Sequence, residues 1–147
     1  MSAVSRKKRV DRFETEADLV SAIIPFLQSE GHKVRREVPN LSQSVDVVAT
    51  RGRWVTFIEA KMHNWRRGLH QCRGHLNVAD YLCLALGSKR IPPELEARAK
   101  HQGYGIIRVN PRNRKCGWFL RPRLNRGVWP AERKRWARTL RKIDYAG

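Results

Sequence analysis

Two apolar segments joined by a tight turn set the strongest limit on what this chain can fold into. Ser44-Val45-Asp46-Val47-Val48-Ala49 is a β-branched run with one acid inside it, and the apolar run Val55-Thr56-Phe57-Ile58 closes on Glu59-Ala60-Lys61. Such residues suit the pleated, part-buried surface of a sheet. Thr50-Arg51-Gly52-Arg53 reads as a hairpin turn with Arg51-Gly52 as its two-residue loop, which pairs position 46 with position 57. Residues two apart share a strand face, so Glu59 and Lys61 project together from the strand end and Glu59 becomes the diagonal neighbour of Asp46. Diagonal neighbours have Cβ atoms about 7–8 Å apart, which leaves room for a divalent cation between converging carboxylates. Loop parity carries this inference: a three-residue loop would turn Asp46 to the opposite face.

Around this hairpin the chain alternates helical and strand patterns. Thr15-Glu16-Ala17-Asp18 opens a helix with apolar positions Val20, Ile23, Ile24 and Leu27, and Glu16 falls in line with Val20, Ile23 and Leu27. Two readings of Glu16 stand: an acid pointing inward, or a first-turn acid beside a Thr15–Asp18 capping box. Pro25 is expected to kink or shorten this helix near Ser21. Gly31 ends it, and Lys33 to Val38 alternates like a strand before Pro39-Asn40 turn the chain. A helix from Trp65 to Ala79 places Trp65, Leu69, Cys72, Leu76 and Ala79 on one stripe. Tyr81 to Leu86 reads as a buried strand, Pro93 to Gln102 as a helix and Tyr104 to Val109 as another strand. The expectation is an α/β single domain with a central mixed sheet flanked by helices and a basic C-terminal helix. It divides into a flexible basic arm (1–12), a core (13–120) and a C-terminal extension packed on that core (121–147).

Charge points to the partner. The 147 residues carry 31 Lys plus Arg against 13 Asp plus Glu, a formal net charge of +18, and the pI is near 11.2. That is the electrostatic footprint of a polyanion binder. In so basic a chain, two acids embedded in apolar strands stand out, because burying an uncompensated carboxylate is costly and a cation relieves the cost. Cys72, Cys83 and Cys116 lack metal-ligand spacing and read as reduced core thiols. With neither a signal peptide nor a membrane-spanning run, an intracellular, cytoplasmic protein of bacterial, archaeal or phage origin is expected.

In their order and spacing, Glu16, Asp46, Glu59-Ala60-Lys61 and Gln71 resemble the PD-(D/E)XK nuclease superfamily, with its restriction-endonuclease-like fold. Spacing and size are similar to those of archaeal Holliday-junction resolvases and small bacterial and phage nucleases. The resemblance covers roughly Glu14 to Val109; Val45 departs from it, standing where the superfamily name has proline. It implies a Mg²⁺-dependent DNA endonuclease, with Mn²⁺ as a substitute. Asp46, Glu59 and the backbone carbonyl of Ala60 offer hard oxygen ligands, and Glu16 is a further candidate ligand or water holder. Lys61 is suited to positioning water and offsetting phosphate charge, and Gln71, on the following helix, to orienting water or a phosphate.

DNA contacts are expected from Arg66, Arg67, His70 and Arg73, from Arg6-Lys7-Lys8-Arg9, and from the C-terminal segment, where Arg133 and Arg138 accompany Trp129 and Trp136. Both tryptophans are expected to dock on the core and the arginines to meet phosphate. His63, His70 and His75 are read as surface or phosphate-contacting residues. No separate base-reading domain fits, so structure-selective or weakly sequence-specific cutting is expected, with a possible homodimer acting on both strands. The alternative is a non-catalytic nucleic-acid-binding protein, either a degenerate nuclease fold or a ribosome-type basic protein. The acid, acid and lysine set argues against it, since carboxylates repel phosphate.

Overall fold

The computed structural model describes residues 12–41 and 43–146; Arg6, Lys7, Lys8 and Arg9, and most of the expected N-terminal arm, lie outside them. In chain order the elements are α1 (Glu16–Ser29), β1 (Lys33–Asn40), β2 (Gln43–Arg51), β3 (Trp54–Lys61), α2 (Trp65–Arg73), β4 (Tyr81–Leu86), α3 (Pro93–Gln102), β5 (Gly105–Val109), β6 (Cys116–Leu120) and α4 (Pro130–Leu140). The strands form one sheet in the order β1-β2-β3-β4-β5-β6. β1, β2 and β3 are an antiparallel meander, β3, β4 and β5 run parallel, and β6 returns antiparallel. This is the mixed α/β single domain expected from the sequence.

Two apolar layers flank the sheet. Leu19, Ile23 and Leu27 of α1 pack on Val47, Ile58 and Cys83 on one face. On the other, Trp65, Leu69 and Cys72 of α2, Leu95 and Ala99 of α3 and Trp136 of α4 pack on Phe57, Leu82 and Leu84. Burying a side chain the size of Phe57 stabilises the fold by about 1.5–3 kcal/mol, and Phe57 is fully buried. β3 contributes to both layers. Its end is therefore held from above and below, which fixes the direction of whatever it carries there.

Several local expectations need correction. α1 runs unbroken through Pro25. The ring lies on the exposed side of the helix, so the Ser21 carbonyl deprived of its donor faces water and not the core. β1 continues through Pro39 and Asn40; it is an edge strand, and an edge tolerates a residue with no N–H to give. The hairpin closes with Arg51 opposite Trp54, so the two-residue loop is Gly52-Arg53, with Gly52 at φ +59°. Glycine reaches that left-handed conformation without a Cβ penalty. α2 stops at Arg73, and Gly74 to Val78 wind on in turns.

In the C-terminal segment, Trp136 is buried against Phe57 with ring centroids 5.0 Å apart, whereas Trp129, also expected to dock, is 60% exposed. Arg133, expected to meet phosphate, is engaged within the fold. Its guanidinium donates to the carbonyls of Val78 and Arg53, each at 2.9 Å, and meets Asp80 Oδ2 at 3.0 Å, tying α4 to the turn before β4. Among the described residues no helix is long and apolar enough to cross a membrane.

Candidate active site

The one-position shift in the hairpin loop preserves parity, because it moves the register by two. Pairing of β2 with β3 runs from Arg51↔Trp54 to Val47↔Ile58 and stops there. Continued by one step, the register sets Asp46 directly opposite Glu59, where the sequence led us to expect a diagonal pair. Instead of continuing, the ladder opens: the Ala60 N–H donates to Asp46 Oδ2 at 2.8 Å. A strand residue points its N–H and C=O to the same side, so the Ala60 carbonyl also faces the Asp46 side of β3. Asp46, Glu59 and Ala60 thus meet where β2 and β3 part.

Glu59 is fully buried. Its Oε1 lies 3.0 Å from His75 Nε2, and its Oε2 is buried with no hydrogen-bond donor against it. Burial first, then the negative charge and hydrogen-bonding carboxyl of Asp46, push the Glu59 pKa up to about 9; Lys61 opposes the shift. In the bare site Glu59 is therefore a neutral acid at pH 7. His75, also fully buried, is lowered to about 4 by burial, against the pull of Asp46. The Glu59–His75 contact is accordingly a hydrogen bond between neutral groups and not an ion pair. Asn40 Nδ2 lies 2.8 Å from His75 Nδ1; with the amide donating to Nδ1, the ring proton sits on Nε2 and points at Glu59.

Lys61 is 7% exposed. Its stem runs beneath α2 at Gly68, where a Cβ would stand 2.9 Å from Lys61 Cγ and closer still to Leu84 Cδ1, so the bare glycine is what lets helix and lysine approach. The ammonium reaches Glu16 Oε1 at 3.8 Å. At the α1 start the second reading is the one observed: Thr15 and Asp18 form a reciprocal capping box with Glu16 in the first turn, and the Glu16 carboxylate is exposed and turned to Lys61 instead of inward. Glu16 comes from the helix on the far face of the sheet, and the contact it makes at this end of the sheet is that loose ion pair with Lys61.

Gln71 lies on α2 one turn beyond Gly68, with its Oε1 buried and unpartnered. Among the described residues no group of three or more His, Cys, Asp and Glu side chains is arranged to hold a metal. What converges is two carboxyls and a main-chain carbonyl. That oxygen-only set, with one buried oxygen lacking any donor and with Glu59 held neutral by burial and by the charge of Asp46, fits a hard divalent cation whose remaining positions go to water or phosphate oxygen.

The basic surface lies on the outside of α2. Arg67, His70 and Arg73 are exposed, and Arg73 and His70 share a shallow cleft with Arg98, Gln102 and Tyr104. Arg66 is partly engaged, 2.7 Å from Glu94 Oε2 and stacked over Trp65. Arg138 is exposed on α4. His75 is the residue misread from the sequence. It is a core histidine hydrogen-bonded to a candidate ligand, and it lay off the apolar stripe drawn through Cys72 and Leu76, so the sequence carried no signal for it.

No family model matches the chain, and no curated protein does. Among solved structures it is similar to the SPO1766 protein of Silicibacter pomeroyi, a protein of unknown function. That likeness has a TM-score of 0.64 at 16% identity over 84% of this chain and 82% of that one. It is also similar to AF1548, again of unknown function, with a TM-score of 0.51 at 15% identity over 61% of this chain and 57% of that one. At these identities the likeness is one of fold alone.

Proposed function

We propose that this protein is a Mg²⁺-dependent DNA endonuclease of the PD-(D/E)XK type, structure-selective or weakly sequence-specific, with Mn²⁺ able to substitute. The observation that carries the reading is the meeting of Asp46 and Glu59 at the opened end of the β2–β3 ladder, with Glu59 Oε2 buried and lacking a donor, and with Lys61 on the same strand. A protein that merely binds DNA gains nothing from such a pair, which repels phosphate and destabilises the bare fold.

Asp46, Glu59 and the Ala60 carbonyl would hold the cation. Once bound, it would lower the pKa of a water and offset charge on the phosphate oxygens. Asp46 is tied to the Ala60 N–H and Glu59 to His75, so the two acids are oriented before any cation arrives. Lys61, with its stem clamped under Gly68, presents an ammonium to water and phosphate; release from Glu16 costs little, because Glu16 is 46% exposed and the pair is loose at 3.8 Å. Gln71 offers a buried carbonyl oxygen able to accept from water. Arg67, His70, Arg73 and Arg138 supply positive surface for the phosphate backbone. A homodimer would bring two such sites to the two strands of a duplex, and an intracellular location is part of the same proposal.

The test is a cleavage panel of four-way junction, flap, linear and supercoiled DNA with Mg²⁺, Mn²⁺ and EDTA. Cutting of at least one substrate with either metal and none in EDTA is expected. Binding to all substrates with no cutting under any condition would leave a binding protein.

A further inference from the structure

We infer that His75, itself held by Asn40, is a positioning residue that presents Glu59 to the cation. This inference rests on the proposed cation site. Nothing in the resemblance to nucleases assigns a role to either residue. They come from separate elements: Asn40 closes β1, and His75 sits in the turns after α2. Glu37, at φ +50°, interrupts the alternation of β1, so that Val38 joins the α2 side of the sheet while Val34 stays on the α1 side. That twist carries Asn40 beneath the turns after α2.

The three side chains make a directed relay. Asn40 Nδ2 donates to His75 Nδ1 at 2.8 Å, and Nε2–H donates to Glu59 Oε1 at 3.0 Å. Asn40 is 5% exposed and His75 fully buried, and Phe57 holds the imidazole edge-on with centroids 5.2 Å apart. A leucine at 75 would fill this space but leave the buried Asn40 amide and Glu59 Oε1 unpaired, so packing alone does not account for histidine here. What the relay achieves is geometric: it occupies one lone pair of Oε1, fixes the plane of the Glu59 carboxyl and leaves Oε2 free on the other side. Ligating groups are oriented this way by outer partners, whose loss costs about 10–100-fold in metal affinity.

The experiment is calorimetric titration of Mn²⁺ into wild type, His75→Gln, His75→Asn and Asn40→Ala, each with its thermal midpoint and its kcat and KM for DNA cleavage. A glutamine amide can stand where Nε2 stands and keep the donor to Glu59. An asparagine amide can stand only near Nδ1, keeping the link to Asn40 and losing Glu59. We expect His75→Gln to bind Mn²⁺ within about 3-fold of wild type and His75→Asn to lose about 10–100-fold, although both melt earlier. Asn40→Ala should lose several-fold, and kcat should follow affinity with KM for DNA unchanged. Equal losses in the two histidine variants, tracking their melting temperatures, would make the relay a structural network only. Should neither histidine variant fold, undiminished affinity in Asn40→Ala would overturn the inference. Wild type that fails to bind Mn²⁺ would remove the cation site itself, and the relay's purpose with it.

Discussion

The carboxyl pair predicts that Glu59→Gln makes the protein more stable in the absence of metal. Glu59 has its pKa raised from an ordinary 4.5 to about 9, so the native state takes up a proton that the unfolded chain releases above pH 4.5. For an acid shifted upward, the stabilising contribution is complete below the unfolded pKa and is lost as pH rises toward the folded one. At pH 7 that loss spans two and a half pH units at about 1.36 kcal/mol each, or about 3 kcal/mol. Glutamine has no proton to acquire. Its amide can donate to Asp46 while its carbonyl accepts from His75, so the variant avoids the loss. For a domain of this size, 3 kcal/mol corresponds to on the order of 10 °C in Tm. The assay is thermal unfolding by circular dichroism in EDTA from pH 5 to 9. Glu59→Gln should match wild type near pH 5 and melt progressively above it as pH rises, while Mg²⁺ should raise the Tm of wild type alone. A variant that melts at or below wild type at pH 7, with the same pH dependence, would refute the burial of a neutral Glu59 beside Asp46.

Three further outcomes follow from the same geometry. Lys61→Ala should slow single-turnover cleavage by orders of magnitude while calorimetry finds Mn²⁺ affinity unchanged or tighter, since a neighbouring positive charge is gone; Lys61→Arg should rescue poorly, because a planar guanidinium does not reproduce a compact ammonium. Gly68→Ala should lower stability by about 1 kcal/mol on urea unfolding, because crowding Leu84 and Lys61 costs about 1–3 kcal/mol and the gain in helix propensity returns about 1; a stabilised variant would contradict the close approach of α2. DNA affinity should fall about 10³–10⁵ between 50 and 200 mM salt if 6–10 phosphates are contacted, and filter binding that finds no salt dependence would exclude the α2 surface as a phosphate track.

Local pattern carried much of the fold. β-Branched runs located the strands around the site, and alternation at even spacing brought Asp46 and Glu59 together even though the loop slid from Arg51-Gly52 to Gly52-Arg53. Parity is what survives such a slip, because a shift of two residues restores the same face. Long-range facts were hidden. That Arg133 would be spent on Asp80 and two carbonyls, that Glu16 would meet Lys61 across the end of the sheet, and that Trp129 would stay outside while Trp136 went in all depend on where α1 and α4 dock. His75 was lost for a different reason. A helix drawn to Ala79 gave its polar ring an outward reading, whereas the chain leaves the helix at Gly74 and folds the ring inward onto Glu59.

The most direct test of the account is single-turnover cleavage of a labelled DNA in Mg²⁺ by Asp46→Asn beside wild type, with binding of the same DNA measured in parallel. Asp46 contributes one of the two converging acids and also accepts from the Ala60 N–H; asparagine keeps an oxygen for that bond and removes the charge a cation needs. The account predicts that the variant binds DNA as tightly as wild type or more so, having lost a negative charge near phosphate, and cuts it at no measurable rate. Cleavage by Asp46→Asn at the wild-type rate would mean that the phosphodiester is not broken at this pair.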